Sequence, residues 1–561
     1  MKKLALLLPL LTLVALSTLP QTAVAQTGGK AAPAKMADAA TLDPLAPTHG
    51  LKSAEDIDRE WQFASSKFDA RRDALLKEAG RQAHDGPYRP DWETLRNHEI
   101  PQWFKDAKFG IFIGWGVYAV PGAVNEWYPH NMYRPGDPAW QDFVQRYGSF
   151  DKGLGYKDFI PAFRAEKWDP ADWVALFKQA GARYVIPIAE HHDGFAMYDS
   201  DLSDWTSAKL GPHRDVVGEL AVATRAAGLH FGFSSHRAEH NYYYDEGRSI
   251  RSDVNDPKYA AFYGPAHQWL NDPHFLPTNE WTYVSDAWTR DWLARSVELV
   301  EKYKPELVYF DGGNGQPAFR SKMTEFTAFY DNFARQNHID GVITLKDYAM
   351  EWTAGARDFE RSLRTDIDPR HWQTDTSISN LSWGYMEHDQ FKTPEFLVHQ
   401  LVDIVSKNGN LLLSIGPRAD GTIPDEVRAT LLDVGAWLNR NGEAIYSTEP
   451  WKIYGEGPTE IKTGFASDQD AKPYTAADFR FTRKGNNLYV ISLACPADGT
   501  ATIRSLGLTG AAAGLEFQSV ELLGSPSKVD WLRTTNALNL NLPADAACKY
   551  GFALRVKAAA R

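Results

Sequence analysis

Cysteine is almost absent: Cys495 and Cys548 are the only two in 561 residues. That excludes a disulfide framework and leaves room for a single bridge in an oxidising compartment. Positive charge is also short. There are 60 Lys and Arg against 72 Asp and Glu, a formal charge of -12, which excludes the basic footprint that nucleic acid or an anionic membrane demands. After residue 25 no run reaches the roughly 18 uninterrupted apolar residues of a membrane span. No G-x-G-x-x-G follows a strand-like run, so the usual mark of a dinucleotide site is missing. Histidine stops at His399, so imidazole chemistry belongs to the earlier part of the chain.

Aromatic residues are plentiful, at 13% of the chain with 19 Trp. Tryptophan offers a flat platform to sugars or bases, although for any one Trp a core position is the commoner role. Residues 1–25 read as a secretory signal. Lys2 and Lys3 precede an apolar run from 4 to 16, and Ala23, Val24 and Ala25 form a small-x-small site cut after Ala25. The expectation is therefore a secreted or periplasmic protein. Residues 26–50, rich in Ala, Gly, Pro and Thr, read as a flexible leader, and 51–95 as a helical N-terminal arm.

From 96 to 450 short apolar runs alternate with amphipathic stretches. The runs at 108–113, 184–189, 230–234, 306–311, 341–345 and 410–415 read as strands, and 171–180, 216–227, 286–303, 322–336 and 394–407 as helices. Parallel strands need crossover connections, so this order predicts an α/β fold, a (β/α)8-like barrel of the TIM type. Residues 451–561 carry short runs at 478–482, 487–492, 516–523 and 538–542 between Gly, Asp, Pro and Asn. They predict a C-terminal antiparallel β-sandwich.

Active residues of such barrels stand at the C-terminal ends of strands. There the sequence places Asp311 before Gly312 and Gly313; Glu190, His191, His192 and Asp193; Asn125, Glu126, Trp127 and Tyr128; and Asp358, Phe359, Glu360 and Arg361 near Trp372, Trp383 and Tyr385. Carboxylates from different strands, set among Trp and His, are the minimum for glycoside hydrolysis, one attacking or activating water and the other donating a proton. Paired histidines also admit a metal reading with His191, His192, Asp193 and His236, but hydrogen bonding to a polar substrate fits their adjacency better.

Six segments taken together go further: WFKDAKFGIFIGWGVYAVPGAVNEWYPHNMY (103–133), YVIPIAEHHDGFAMYDSDLSDWTS (184–207), GPHRDVVGEL (211–220), LVYFDGG (307–313), WQTDTSI with SWGY (372–385) and DIVSKNGNLLLSIGPRADGTIP (403–424). In this order they resemble the α-L-fucosidases of glycoside hydrolase family 29. The resemblance implies an exo-acting, retaining, two-step hydrolysis of terminal α-L-fucosyl residues from oligosaccharides or glycans, with no metal and no cofactor. It implies Asp311 as the nucleophile and Glu360 as the general acid/base, with Glu351 the nearest rival. Glu126, Trp127, His191 and His192 match sugar-binding positions, and Tyr309 and Trp383 would be aromatic walls near a methyl pocket.

Three positions depart from the family pattern. Gly114 stands where an I-H-W-G motif usually supplies a sugar-binding His. Ser234, Ser235 and His236 stand where a Tyr is common, and Lys346 where Arg is frequent, which exchanges a planar fork for a point charge. His236 is expected to replace the lost imidazole from another strand. The alternatives are a related α-L-glycoside, such as an L-galactoside or L-glucoside, or a lectin-like binder without turnover.

Overall fold

The computed structural model describes residues 52–560, apart from 271–278, 347, 465, 471, 545 and 547. The expected signal segment and leader lie outside the described residues. Eight parallel strands close a barrel: β1 (Phe109–Ile113), β2 (Tyr184–Glu190), β3 (His230–Ser235), β4 (Leu307–Phe310), β5 (Val342–Leu345), β6 (Ala356–Asp358), β7 (Trp372–Ser377) and β8 (Gly409–Ile415), with β8 pairing back to β1. The six strands expected from apolar runs are all present.

β6 and β7 carry no apolar run, because β6 is three residues long and β7 turns polar side chains inward. Those side chains find partners inside the barrel, where the Tyr184 hydroxyl donates to Gln373 at 2.9 Å and the Tyr309 hydroxyl to Asp375 Oδ2 at 3.0 Å. A pattern search for buried apolar strands passes over such a strand.

Several helices begin where the sequence supplies a cap. Asp137, Asp169 and Thr393 each precede a proline at the first helical position, and their side chains accept from the free N–H groups of Pro138–Arg146, Pro170–Gln179 and Pro394–Ser406. Further helices, Val216–Ala226, Asp286–Tyr303 and Arg320–Gln336, follow β2, β3 and β4. Among the described residues no α-helix lies between β5 and β7; only a 3-10 turn, Trp352–Ala354, stands there. One stretch of barrel wall therefore lacks its helical cover.

The N-terminal arm forms two helices, Ala54–Ser65 and Asp69–His84. Trp61 meets Trp288 edge-on at 4.9 Å, and buried Arg72 donates through Nε to Asp291 at 3.0 Å. Asp291 also accepts from Arg237 at 2.8 Å and lies 3.4 Å from Arg295, while Glu190 binds both Arg237 and Arg295. Burial would raise the Asp291 carboxyl, but the three guanidinium groups outweigh it and hold the group well below the usual range.

Beyond the barrel, β9 (Glu449–Glu456), β10 (Phe479–Lys484), β11 (Asn487–Ser492), β13 (Leu515–Leu522) and β16 (Ala553–Ala560) form one antiparallel sheet. β12 (Thr500–Ile503), β14 (Asp530–Arg533) and β15 (Leu538–Asn541) form a second. They share a core that includes Trp451, Phe481, Val490, Ile503, Leu540 and Leu554. Cys495 and Cys548 are bonded to each other, closing a span of 53 residues. Arg480 of β10 reaches the barrel's Asp403 at 2.7 Å, where Lys407 also binds at 2.8 Å. Among the described residues no helix is long and apolar enough to cross a membrane.

The arginine cluster yields a stability prediction. Replacing Asp291 by Ala leaves three buried guanidinium groups short of a partner, so denaturant unfolding should show a loss of about 3–5 kcal/mol. A loss below about 1 kcal/mol would show that the cluster carries no such weight.

Candidate active site

Alternation along the strands decides which side chains reach the barrel interior. In β4, Leu307 and Tyr309 point inward and Val308 and Phe310 pack outward against the helices, so the next inward position is Asp311. In β5 the phase of Val342 carries on to Lys346, and in β6 that of Ala356 carries on through Asp358 to Glu360. In β3 it runs from Gly232 and Ser234 to His236, and in β7 it places Asp375 inside, where it meets Tyr309.

These side chains meet in a cavity of about 1010 Å³ at the barrel mouth, lined by Glu126, Trp127, His191, His192, His236, Glu239, Asp311, Lys346, Glu360, Asp375 and Trp383 among others. A cavity of similar volume, about 1090 Å³, lies on the flank beside Trp61 and Trp205. Its carboxylates are exposed, like Asp56, or paired with a cation, Asp291 with arginines and Glu60 with Lys52, so no buried carboxyl pair like that at the barrel mouth stands there.

The ammonium of Lys346 is the centre of the barrel-mouth site. Its Nζ lies 2.8 Å from Asp311 Oδ1, 2.7 Å from Glu360 Oε2 and 3.1 Å from Asp375 Oδ2, and 5.1 Å from the centre of the Trp383 ring. Asp311 Oδ2 lies 2.8 Å from His236 Nδ1 and 3.4 Å from His192 Nε2. Burial would raise Asp311, yet Lys346, His236 and His192 together hold it well below the usual carboxylate range.

Glu360 behaves in the opposite way. Burial, aided by the charges of Asp375 and Asp311, pushes it to about 7 against the pull of Lys346. A quarter of its side chain is exposed, and that part lines the cavity. Asp358 is likewise raised, by burial and then by Asp375. Two carboxyls with opposed protonation preferences, an ionised one and a protonated one, are the resources of a nucleophile and an acid.

Around them lie hydrogen-bonding groups. Glu126 Oε2 accepts from Ser382 Oγ and from the Trp383 backbone N–H, both at 2.8 Å, which fixes the Trp383 wall. Trp127 faces His192 at 5.3 Å. His192 lies between Asp311 and Glu239, its Nδ1 3.4 Å from Glu239 Oε2. Burial opposes its charge, but the two carboxylates outweigh it and raise the imidazole above its ordinary value. His191 is held far below its ordinary value by burial and by the neighbouring His192 and His236. Ligand atoms of His191, His192 and His236 lie within 4.8 Å of one another, a spacing compatible with a metal as well as with sugar hydroxyls. Asp193, the fourth residue of that metal reading, is instead committed to the Tyr156 hydroxyl and the Phe195 N–H.

Nine of the ten expected site residues line this cavity; Tyr309 does not. It is fully buried beneath the floor, packed on Phe112 at 5.4 Å with its hydroxyl spent on Asp375, so it supports the site instead of walling it. Glu351, the rival acid/base, is outside the cavity, its side chain 41% exposed and paired with Arg96 at 3.3 Å. Asp375 and Glu239 were not singled out from sequence. The inward phase of β7 marks Asp375 once that strand is recognised; Glu239 enters on a 3-10 turn, Arg237–Asn241, that no local pattern announces.

At Gly114 a Cβ would stand 2.1 Å from the Trp383 carbonyl oxygen and 3.3 Å from Ser414 Oγ. The space of a side chain at 114 is taken by the Trp383 backbone, and His236 brings an imidazole to the cavity from β3 instead.

A closed parallel barrel with a buried, oppositely tuned carboxyl pair at its mouth is the apparatus of a glycoside hydrolase. The chain belongs to the alpha-L-fucosidase family: the family model "Alpha-L-fucosidase" matches residues 75–443, and "Alpha-L-fucosidase C-terminal domain" matches 472–557. It is 30% identical to human tissue alpha-L-fucosidase over 74% of this chain and 81% of that one. To human plasma alpha-L-fucosidase it is 30% identical over 83% and 91%. Thermotoga maritima alpha-fucosidase in complex with fucose superposes with a TM-score of 0.66 at 31% identity, covering 84% of this chain and 100% of that one. These relatives do not favour the epimeric-sugar or lectin readings that Gly114 raised.

The crowding at Gly114 can be tested directly. Gly114→Ala should force the Trp383 backbone to move, costing about 1–3 kcal/mol in denaturant unfolding and perturbing Trp fluorescence. An unchanged midpoint and spectrum would mean the position has slack.

Proposed function

We propose that this chain is an exo-acting α-L-fucosidase that releases terminal α-L-fucosyl residues from oligosaccharides or glycans with net retention. The observation that carries the mechanism is the Lys346 bridge. Its two distances place Asp311 Oδ1 and Glu360 Oε2 within 5.5 Å of each other. Retaining glycosidases hold their carboxyl groups about 5–5.5 Å apart, whereas inverting ones leave about 6.5–9.5 Å for a water. The named relatives, one of them bound to fucose, support the choice of sugar.

In the first step Asp311 attacks the anomeric carbon while Glu360 gives its proton to the departing oxygen, so the glycosidic C–O bond breaks and a glycosyl ester forms. Esterification removes the charge on Asp311, one of the charges that raises Glu360. The Glu360 carboxyl then becomes more acidic, which suits it to take a proton from the water that cleaves the ester. In this reading Glu126, His191 and His192 hold ring hydroxyls and Trp127 and Trp383 are apolar walls, while His236, whose Nδ1 faces Asp311 at 2.8 Å and whose Nε2 meets Ser234 Oγ at 2.9 Å, steadies the nucleophile.

Two outcomes follow. Asp311→Ala should lower kcat on an aryl α-L-fucoside by at least about 10³-fold, and near-normal turnover would sink the assignment. Because Glu360 must be protonated in the first step, kcat/KM should fall as pH rises through about 7. Glu360→Ala should remove that limb and regain turnover with azide, whereas Glu351→Ala should keep the limb. Rescue found for Glu351→Ala alone would move the acid/base role there.

A further inference from the structure

The outer face of β6 lines a part of the cavity to which the proposed mechanism assigns no residue. Alternation that sends Asp358 and Glu360 inward sends Arg357 and Phe359 outward, and no helix covers them between β5 and β7 among the described residues. Arg357 lines the same cavity as Asp311 and Glu360.

Its guanidinium lies 3.9 Å from the centre of the Tyr348 ring, 5.4 Å from Trp352 and 5.0 Å from Phe359. It makes no ion pair among the described residues, and its Nε finds no acceptor. The neighbouring cavity residues Arg364 and Arg370 share one carboxylate, Asp368, at 2.9 and 3.6 Å, and Arg370 also lies over Trp352 at 3.3 Å. Tyr348 is 58% exposed. A chain of net charge -12 thus concentrates three arginines against one acid at the outer end of its cavity. One of them, Arg357, stands among aromatic rings with its Nε lacking an acceptor.

We infer, resting on the fucosidase reading, that this outer lobe is a leaving-group subsite for an acidic saccharide, one carrying a carboxylate or a sulfate ester. Arg357 supplies charge-assisted, fork-shaped hydrogen bonds to the anion, and Tyr348 supplies a face on which the sugar ring stacks. Arg370 adds attraction from the rim, where salt screens it. The inner carboxylates do not repel such a ligand at full strength, because Lys346 neutralises part of their charge and Glu360 and Asp358 are raised toward their neutral forms.

The test needs no turnover. The full chain is titrated calorimetrically at low salt with methyl glucuronide, with the matching neutral glucuronamide, and with methyl glucoside 6-sulfate. The acid, the sulfate or both should bind at least about tenfold more tightly than the amide. That advantage should shrink with added salt and vanish in Arg357→Gln. A preference for the sulfate assigns the subsite to sulfated sugars, and one for the glucuronide to uronates. Equal binding of all three by the unaltered protein, or an advantage that survives Arg357→Gln, overturns the inference. Should that variant not fold, the unaltered protein's comparison and its salt dependence still decide. Release of phenol from an aryl α-L-fucoside is read in parallel. Turnover without an anion preference removes only the subsite, and an anion preference without turnover removes only the fucosidase reading.

Discussion

One ammonium group makes the barrel mouth possible. Asp311, Glu360 and Asp375 each lie within 3.1 Å of Lys346 Nζ, and Asp375 itself is fully buried. Carboxylates gathered so closely and largely buried could not all remain ionised, since removing each charge from water costs several kcal/mol unless it is paired. A single cation cannot satisfy the whole group, so the protonation states divide. Asp311, which also faces His236 and His192, keeps its charge, while Glu360 and Asp358 are driven toward the neutral form. The asymmetry a two-carboxyl hydrolase needs is thus a consequence of too few cations. A lysine suits this better than an arginine would, because a compact charge with rotatable donors can face three oxygens that a planar fork could not reach together.

That arrangement depends on a rigid frame below it. The walls around Lys346 are fixed by bonds that have nothing to do with substrate: Tyr309 to Asp375, Gln373 to Asp358, and Glu126 to the Trp383 backbone. Deeper still, Glu190 at the end of β2 and Arg237 just after β3 are locked into the arginine and carboxylate cluster that also captures Arg72 of the N-terminal arm. His191 and His236 are immediate chain neighbours of these anchored residues, and His192 lies one residue further along. The precision of the imidazoles around Asp311 therefore rests on a buried ionic cluster one layer away.

Much of this was legible in the sequence, for a definable reason. Where a strand is apolar on both faces, as in β1, β4 and β8, its run stands out, and the residue just past its end is automatically a candidate. Asp311 was found that way and Glu360 was singled out in the segment that follows the β5 run; the family resemblance supplied the role of Glu360 and drew attention to Lys346. β7 was missed because its inward residues, Gln373 and Asp375, are polar and buried only by virtue of tyrosines from β2 and β4. Their partners are far away in the chain, so no local pattern carries the information. Gly114 shows the same limit from the other side. A missing side chain reads in the sequence as a lost contact, whereas in three dimensions the Trp383 carbonyl stands in the vacated space, so that a replacement would have to displace it.

The uncovered stretch of wall between β5 and β7 connects the chemistry to the choice of leaving group. Proton delivery must come from the side on which the aglycone departs, and attack from the opposite face of the sugar. Asp311 follows β4, in the part of the barrel flanked by Asp286–Tyr303 and Arg320–Gln336, whereas Glu360 follows β6, where helical cover is absent. A barrel helix there would close the outer face of β6 and bury Arg357 and Phe359 against it. Without one, in the proposed mechanism, the strand and the turn after it can present the acid Glu360 to the glycosidic oxygen and the guanidinium of Arg357 to whatever lies beyond it. The gap in the barrel is then what lets a pocket for one sugar extend into a cleft for two.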